Sequence, residues 1–598
     1  MPNHKVMQSP PLGSVKSFLP IHGVASKLIP WRRLEQINSK VQQGDGPGFR
    51  KIIQALQVEC VLEGADLSRI PKSGPLVVVA NHPFGILDGI VAGDVISSVR
   101  PDTKVLTNFI LSGVPYLAND CIFVDPFGTT ESVHNSHRGL REALQWLRSG
   151  GVLVIFPAGE VSHWKLHHPK IADPKWSTTA ARLARMTGAA VIPLHFEGHN
   201  SLVFQTLGVV HPKLRTLSLP TEFVKAAGKS VKVEIGSAIS AEEIRKFADE
   251  EALTMYLRWR TYFLGRRGRA HRAEQPAPEK QEPIAAATPQ TAILSEIASL
   301  PSEALMARSG DFSVYVADGC EIPSVLREIG RLREVTFRAA GEGSGLALDL
   351  DEYDQYYKQL FIWGTAKQRI VGAYRFAATK EIIKTRGVRG LYTSTVFKFA
   401  RGFFDKLGPA LEVGRSFVCE EYQRQYAPLL MLWKGLAAYV RCHPETPVLF
   451  GAVSMSNEYN RASRELLVRY FKRQNGKQRD TLCSMVTPRA PFRVSRLRNW
   501  EMRSIVRMLN DVDALNAPIS DIEGDGKELP ILLKQYLKLG GSILAFNVDR
   551  NFSNVLDALI TVDLRKSKRQ VLARYMTAQG VDEFRRFHSE RTEKTASA

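Results

Sequence analysis

Residues 270 to 301 change the character of this chain and set how it can divide into cores. Arg272-Ala273-Glu274-Gln275-Pro276-Ala277-Pro278-Glu279-Lys280-Gln281-Glu282-Pro283, then Ala285-Ala286-Ala287-Thr288-Pro289, is rich in Pro, Ala, Gln and Glu and shows no hydrophobic period. Such composition reads as a linker over 271–301. It divides the 598 residues into 1–270 and 302–598. The whole is too long for one core, and each half is long enough for its own.

The first half alternates short apolar runs with helical periods. Leu76–Ala80, Cys121–Val124, Gly151–Phe156 and Ala190–Phe196 are the runs; His137–Leu147 and Ser177–Thr187 are among the periods. This alternation predicts an α/β layer with a largely parallel sheet. The second half mixes its elements in another order. Strands are expected over 312–317, 370–376, 410–418 and 448–454, and helices over 322–338, 427–440 and 460–473. No internal repeat of fixed period appears.

Chemistry in parallel sheets collects at strand ends. The run Pro75–Ala80 leads directly into Asn81-His82-Pro83-Phe84-Gly85-Ile86-Leu87-Asp88-Gly89. An imidazole near neutral pKa can take a proton from a hydroxyl, and a carboxylate can hold its ring in the useful tautomer. The bland alternative is a satisfied core histidine followed by a helix-capping aspartate.

Three more blocks follow in order: Phe123-Val124-Asp125, then Phe156-Pro157-Ala158-Gly159-Glu160, then Val191-Ile192-Pro193-Leu194-His195. Together with Asn81-His82 they resemble the glycerolipid and lysophospholipid acyltransferase family over about 74–237. The resemblance implies an α/β domain in which His82 is the general base and Asp88 its orienting partner. It places Asn81, Asp125, Phe156, Pro157, Gly159 and Glu160 around the acceptor. Five residues separate His82 from Asp88, as in a subgroup resembling putative hemolysins, where the family usually has four. Pro126 stands where an arginine usually follows Asp125, and Ala158 where the third block usually has glutamate. The first departure argues against a phosphate-bearing acceptor such as lysophosphatidate; the second leaves two readings, Glu160 in the same role from a shifted position or a different acceptor headgroup.

In the second half, Leu411-Glu412-Val413-Gly414-Arg415-Ser416-Phe417-Val418 precedes the turn Glu421–Gln425 and an apolar helix through Leu436. A strand, a polar turn and a helix N-terminus form a place for anionic groups. This resembles the GNAT superfamily, in its autoinducer-synthase-like branch, over about 302–560, which implies an α+β domain. The resemblance implies an acyl thioester donor, acyl carrier protein with its phosphopantetheine arm, and no other cofactor. It points to Arg338, Glu412, Gly414, Arg415 and Arg424 as binding residues, with Asp351 and Asp354 as carboxylates for the ammonium groups of an amino-acid acceptor. Strand-end salt bridges and a solvated helix start are the competing readings.

An O-acyltransferase joined to an N-acyltransferase resembles the fused ornithine lipid synthases of bacteria. That resemblance implies N-acylation of ornithine with a 3-hydroxyacyl group, then esterification of the free 3-hydroxyl on the lyso-lipid. Another amino-acid lipid, such as a glycine lipid, or lysophospholipid acylation is the alternative. The net charge of +20 calls for an anionic partner. Acidic carrier protein and an anionic membrane face are the expected ones, contacted through Phe18–Arg33 and through Arg258, Arg260, Arg266, Arg267, Arg269 and Arg272. Nucleic acid is not expected, since no reader module appears. The six scattered cysteines carry neither disulfide nor metal spacing, so no metal site is expected. With no run of about 18 apolar residues and no signal sequence, the expected location is cytoplasmic, peripheral on the inner membrane.

Overall fold

The computed structural model describes residues 30–108, 114–124, 130–165, 168–267, 281–478, 481–494, 499–509 and 511–596. The chain forms two compact units. The first comprises Met1–Gly268 together with Trp500–Glu528, and the second Arg269–Asn499 with Leu529–Ala598.

In the first unit the strands are β1 (Glu59–Val61), β2 (Leu76–Ala80), β3 (Thr103–Asn108), β4 (Cys121–Val124), β5 (Val152–Ile155), β6 (His163–Lys165), β7 (His168–Ala172), β8 (Ala190–Glu197) and β9 (Ser230–Ile235). Seven form one sheet in the order β1-β9-β8-β2-β5-β3-β4, and β6 and β7 pair as a separate hairpin. The five strands from β8 to β4 are mutually parallel, and β9 runs antiparallel to β8. β2 lies at the centre with every residue buried. That is why its sequence is an unbroken apolar run rather than an alternating one.

The second unit adds β10 (Leu305–Ser309), β11 (Phe312–Asp318), β12 (Lys358–Gly364), β13 (Arg369–Ala378), β14 (Phe397–Phe399), β15 (Ala410–Val418), β16 (Val448–Met455), β17 (Val486–Pro488), β18 (Ser542–Asp549) and β19 (Val555–Asp563). Eight form a sheet in the order β10-β11-β12-β13-β15-β16-β19-β18. Its pairs are antiparallel except β15 with β16, which are parallel and paired only from Ala410↔Val448 to Glu412↔Phe450. Beyond Glu412 each strand continues without the other, so the sheet opens there. The two units thus have the expected classes, a largely parallel α/β layer and a mostly antiparallel α+β sheet.

Two expectations change. The second part of the proposed linker is ordered against the second unit: Glu282 and Ala285 donate backbone hydrogen bonds to Gly345 and Ala347. Gln290–Ser299 is a helix with Ile293 buried. Composition alone suggested a free tether, but non-local backbone partners fix the segment. The second change is Trp500–Glu528, which leaves the second unit's chain and packs in the first.

Candidate active sites

His82 stands just past the end of β2. Its Nδ1 lies 3.0 Å from Oδ2 of Asp88, with the ring 19% exposed and the carboxylate fully buried. The N–H direction is out of line for a well-formed hydrogen bond, a looseness common in ligand-free catalytic pairs. Asp88 opens the helix Ile86–Ser97 and accepts from the backbone N–H groups of Phe84 and Gly85, both at 2.9 Å. Burial raises its pKa, while the histidine and the two N–H groups pull it back. The turn needs Gly85, whose φ is +81° and whose Cβ would come within 2.9 Å of Leu219. Asp88 is therefore both the helix cap and the partner of the imidazole.

Asp173 was not foreseen from the sequence. It is buried, and its Oδ1 accepts from the backbone N–H of His82 at 3.1 Å and from Ser162 Oγ. Its Oδ2 accepts from Trp176 Nε1 at 2.8 Å. Ser162 N in turn donates to the carbonyl of His82 at 2.8 Å. The histidine backbone is thus held on both sides. Phe156 places its ring 4.4 Å from the imidazole, because β5 ends beside β2 in parallel register.

The other expected residues of this unit are also placed. Asn81 bridges β2 to β8, with Nδ2 donating to Phe196 O at 3.0 Å and Oδ1 accepting from Phe196 N at 2.8 Å. Its amide is occupied by backbone. Pro157 and Gly159 form the turn after β5, with Gly159 at φ +66°. Glu160 is exposed and pairs with the buried Arg215 at 2.8 Å. Asp125 lies outside the described residues. Of the basic patch, Arg260 and Arg267 are buried rather than superficial, paired with Asp521 and Asp66. A carboxylate within reach makes burial of a guanidinium tolerable. Arg269, Arg272 and Phe18–Ile29 lie outside the described residues.

In the second unit, Asp351 and Asp354 cap a short turn and face Arg375. Asp354 also binds Arg333 at 2.8 Å. Burial opposes its ionisation, but the two arginines outweigh that and hold its carboxyl well below the usual range. Glu412 accepts from Thr393 N at 2.7 Å, from Tyr392 N and from the Tyr357 hydroxyl. Arg338 is held by Glu334 at 2.7 Å and by the carbonyls of Glu282 and Leu346. Arg424 is exposed in the turn before the helix Tyr426–Cys442, and Gly414 has open space where a Cβ would be. Asp354, Glu412 and Arg338 are thus occupied by protein partners.

The group that remains chemically open surrounds Arg415. This residue adopts φ +50° past the point where β15 and β16 part. Its guanidinium lies over Tyr392 and Phe552, 3.6 Å from Asp349 and 3.8 Å from Asp351. Glu342 accepts from Ser454 Oγ at 2.8 Å. Burial pushes its carboxyl up to about 7 against the opposing pull of Ser454 and Arg415. Asp557 on β19 is raised well above the ordinary value by burial and by the like charges of Asp549 and Glu342. Carboxyls pushed up in this way mark candidate sites for proton transfer. No local sequence signal could have joined residues 342, 454, 549 and 557.

Among the described residues no helix is long and apolar enough to cross a membrane. A family model described as acyltransferase matches residues 49–270, and one described as acetyltransferase (GNAT) domain matches residues 332–434. The chain is 33% identical over 261 residues to a glycine Nα-acyltransferase of Bacteroides thetaiotaomicron, covering 41% of this chain and 75% of that one. It is 32% identical over 252 residues to the protein of that description in Phocaeicola vulgatus, covering 40% and 75%. It is 29% identical over 189 residues to a lyso-glycine lipid O-acyltransferase of Phocaeicola vulgatus, covering 30% and 65%.

Proposed function

We propose, because the chain belongs to the family of the glycine Nα-acyltransferases and is an enzyme that transfers acyl groups, that it makes a diacylated amino-acid lipid in two steps. The second unit acylates the α-amine of a free amino acid with a 3-hydroxyacyl group carried as a thioester on acyl carrier protein. The first unit then esterifies the 3-hydroxyl of that lyso-lipid. The observation that carries this reading is the His82–Asp88 pair at the end of β2. The pair needs an alcohol acceptor, and the product of amine acylation contains one.

In the first unit His82 takes the hydroxyl proton as the oxygen attacks the thioester carbonyl. The C–O ester bond forms, the C–S bond breaks, and the proton passes to the departing thiolate. Asp88 holds and electrostatically supports the imidazolium. In the second unit Glu342 is the proton acceptor for the ammonium of the amino acid. The amine then attacks its thioester, an amide forms and the thiol leaves.

The headgroup we favour is ornithine. Glu342, Asp349 and Asp557 lie within electrostatic reach of Arg415, and Asp549 within reach of Asp557. That surplus of carboxyl groups suits an acceptor with two ammonium groups better than one with a single ammonium. Glycine is the second reading, favoured by the descriptions of the relatives. Expression in a bacterium without amino-acid lipids, followed by lipid mass spectrometry, separates the two. Diacylated ornithine is the expected species, diacylated glycine would replace the headgroup, and altered phospholipids with no amino-acid lipid would overturn the reading.

Glu342 gives a pH test of the amine-acylating step. Its folded pKa of about 7 lies above the ordinary carboxyl value. Below 7 it is protonated and cannot accept, so N-acylation is expected to rise through about pH 7. Glu342→Gln should remove that limb and lower the rate about 10²–10⁴-fold. The linkage sign predicts a second effect. The unfolded carboxyl ionises first as pH rises, so wild-type stability falls between the ordinary value of 4.5 and about 7. In Glu342→Gln that part of the pH dependence should be absent from thermal melts.

A further inference from the structure

The second unit holds a cavity of about 970 Å³ whose arginines the chemistry above leaves without a role. It is lined by Arg461, Arg464, Arg489, Arg493 and Arg550, with Asp549 as the one carboxylate. Phe492 forms part of its wall, and the guanidinium groups of Arg461 and Arg464 lie over that ring at 5.5 and 6.0 Å. Both arginines belong to the first turn of the helix Arg461–Gln478, whose N-terminus faces the cavity and adds positive potential. Arg489 is fixed by the carbonyl of Ser394 at 2.9 Å, while Arg493 and Arg550 are exposed at the rim.

Five guanidinium groups around one cavity are more than the carboxylate of an amino acid needs. Planar guanidinium forks match phosphate oxygens two at a time. The position also bears on the chemistry. Asp549 lines the cavity and is one of the like charges acting on Asp557, in the acidic group beside Arg415.

We propose that this arginine-lined cavity binds the phosphate ester of the acyl-thioester donor used by the amine-acylating unit. The assignment rests on the reading of that unit as an N-acyltransferase. A phosphate ester is shared by two donors, coenzyme A and the phosphopantetheine arm of a carrier protein.

The full chain should bind 4′-phosphopantetheine at least about tenfold more tightly than pantetheine, which lacks the phosphate, in calorimetric titration. The double variant Arg493→Glu/Arg550→Glu reverses two exposed charges, so folding should persist, checked by an unchanged melting curve. The phosphate-dependent difference should vanish in it, and O-acylation should be unaffected. Steady-state kinetics then separates the donors, since the variant should raise KM only for whichever of acyl-coenzyme A and acyl carrier protein the cavity serves. Equal affinity of the wild type for the two probes overturns the proposal. So does a variant that raises KM for the amino acid and leaves both donors unchanged. Phosphate-dependent binding without N-acylation by the wild type would leave the cavity assignment standing and remove the function assigned to the unit.

Discussion

His82→Ala is expected to lower O-acylation about 10²–10⁴-fold while N-acylation continues, so that mono-acylated amino acid accumulates and the diacyl species disappears. The imidazole is partly open, lies 3.0 Å from a fully buried carboxylate, and is fixed through its own backbone by Asp173 and Ser162. Removing the ring leaves that backbone frame intact, so a loss of activity without a loss of folded protein reports the chemistry. Asp88→Asn makes the complementary test. Its amide oxygen still accepts the Phe84 and Gly85 N–H groups, but the negative charge beside the imidazole is gone. O-acylation should fall, by less than in His82→Ala. Stability should not fall with it: burial raises the pKa of Asp88, so the fold disfavours the ionised form and an uncharged isostere relieves that above the ordinary carboxyl range. Loss of both lipid species in His82→Ala would contradict the assigned order of the two steps.

How much of this was legible in the sequence depends on how local each cause is. β2, β5 and the first five residues of β8 announce themselves because they are buried in the sheet and run apolar without interruption. β3 (Thr103–Asn108) and β9 (Ser230–Ile235) sit further out in the sheet order and carry Lys, Thr, Asn, Ser and Glu among their apolar residues, so they escaped notice. The His82–Asp88 pair was readable because a strand end and the following helix start bring both groups together within one turn. The acidic group around Arg415 was not, because it draws on the turn after one helix and on β15, β16, β18 and β19, which come together only in the folded sheet. Asp351 and Asp354 illustrate the converse. Their clustering suggested a ligand site, yet Arg375 and Arg333, distant or cryptic in the sequence, occupy them.

Asp521→Ala is expected to destabilise the O-acylating unit by about 3–5 kcal/mol, the usual consequence of stranding one member of a buried ion pair. Asp521 is contributed by the Trp500–Glu528 excursion and is buried among the residues of the first unit. Its Oδ2 meets Arg260, and its Oδ1 accepts from Ser237 N at 2.7 Å and from Arg69 Nη1 at 3.2 Å. Its backbone carbonyl accepts from Arg267 Nε at 2.7 Å, while Arg267 also binds Asp66 at 2.7 Å. Arg260 is 1% exposed, so water cannot replace the lost carboxylate. The measurement is urea unfolding of the full chain followed by residual O-acylation, since only one unit is affected. The double variant Arg260→Leu/Asp521→Leu should recover much of the loss, because both charges leave together. For the same reason a fragment ending at residue 270 should fold poorly despite containing His82, Asp88 and Asp173. It would keep Arg69 and Arg260 but lack the Asp521 carboxylate that both of them meet. A soluble, active 1–270 fragment as stable as the full chain would refute this, and would make the docked excursion an ornament rather than part of the fold.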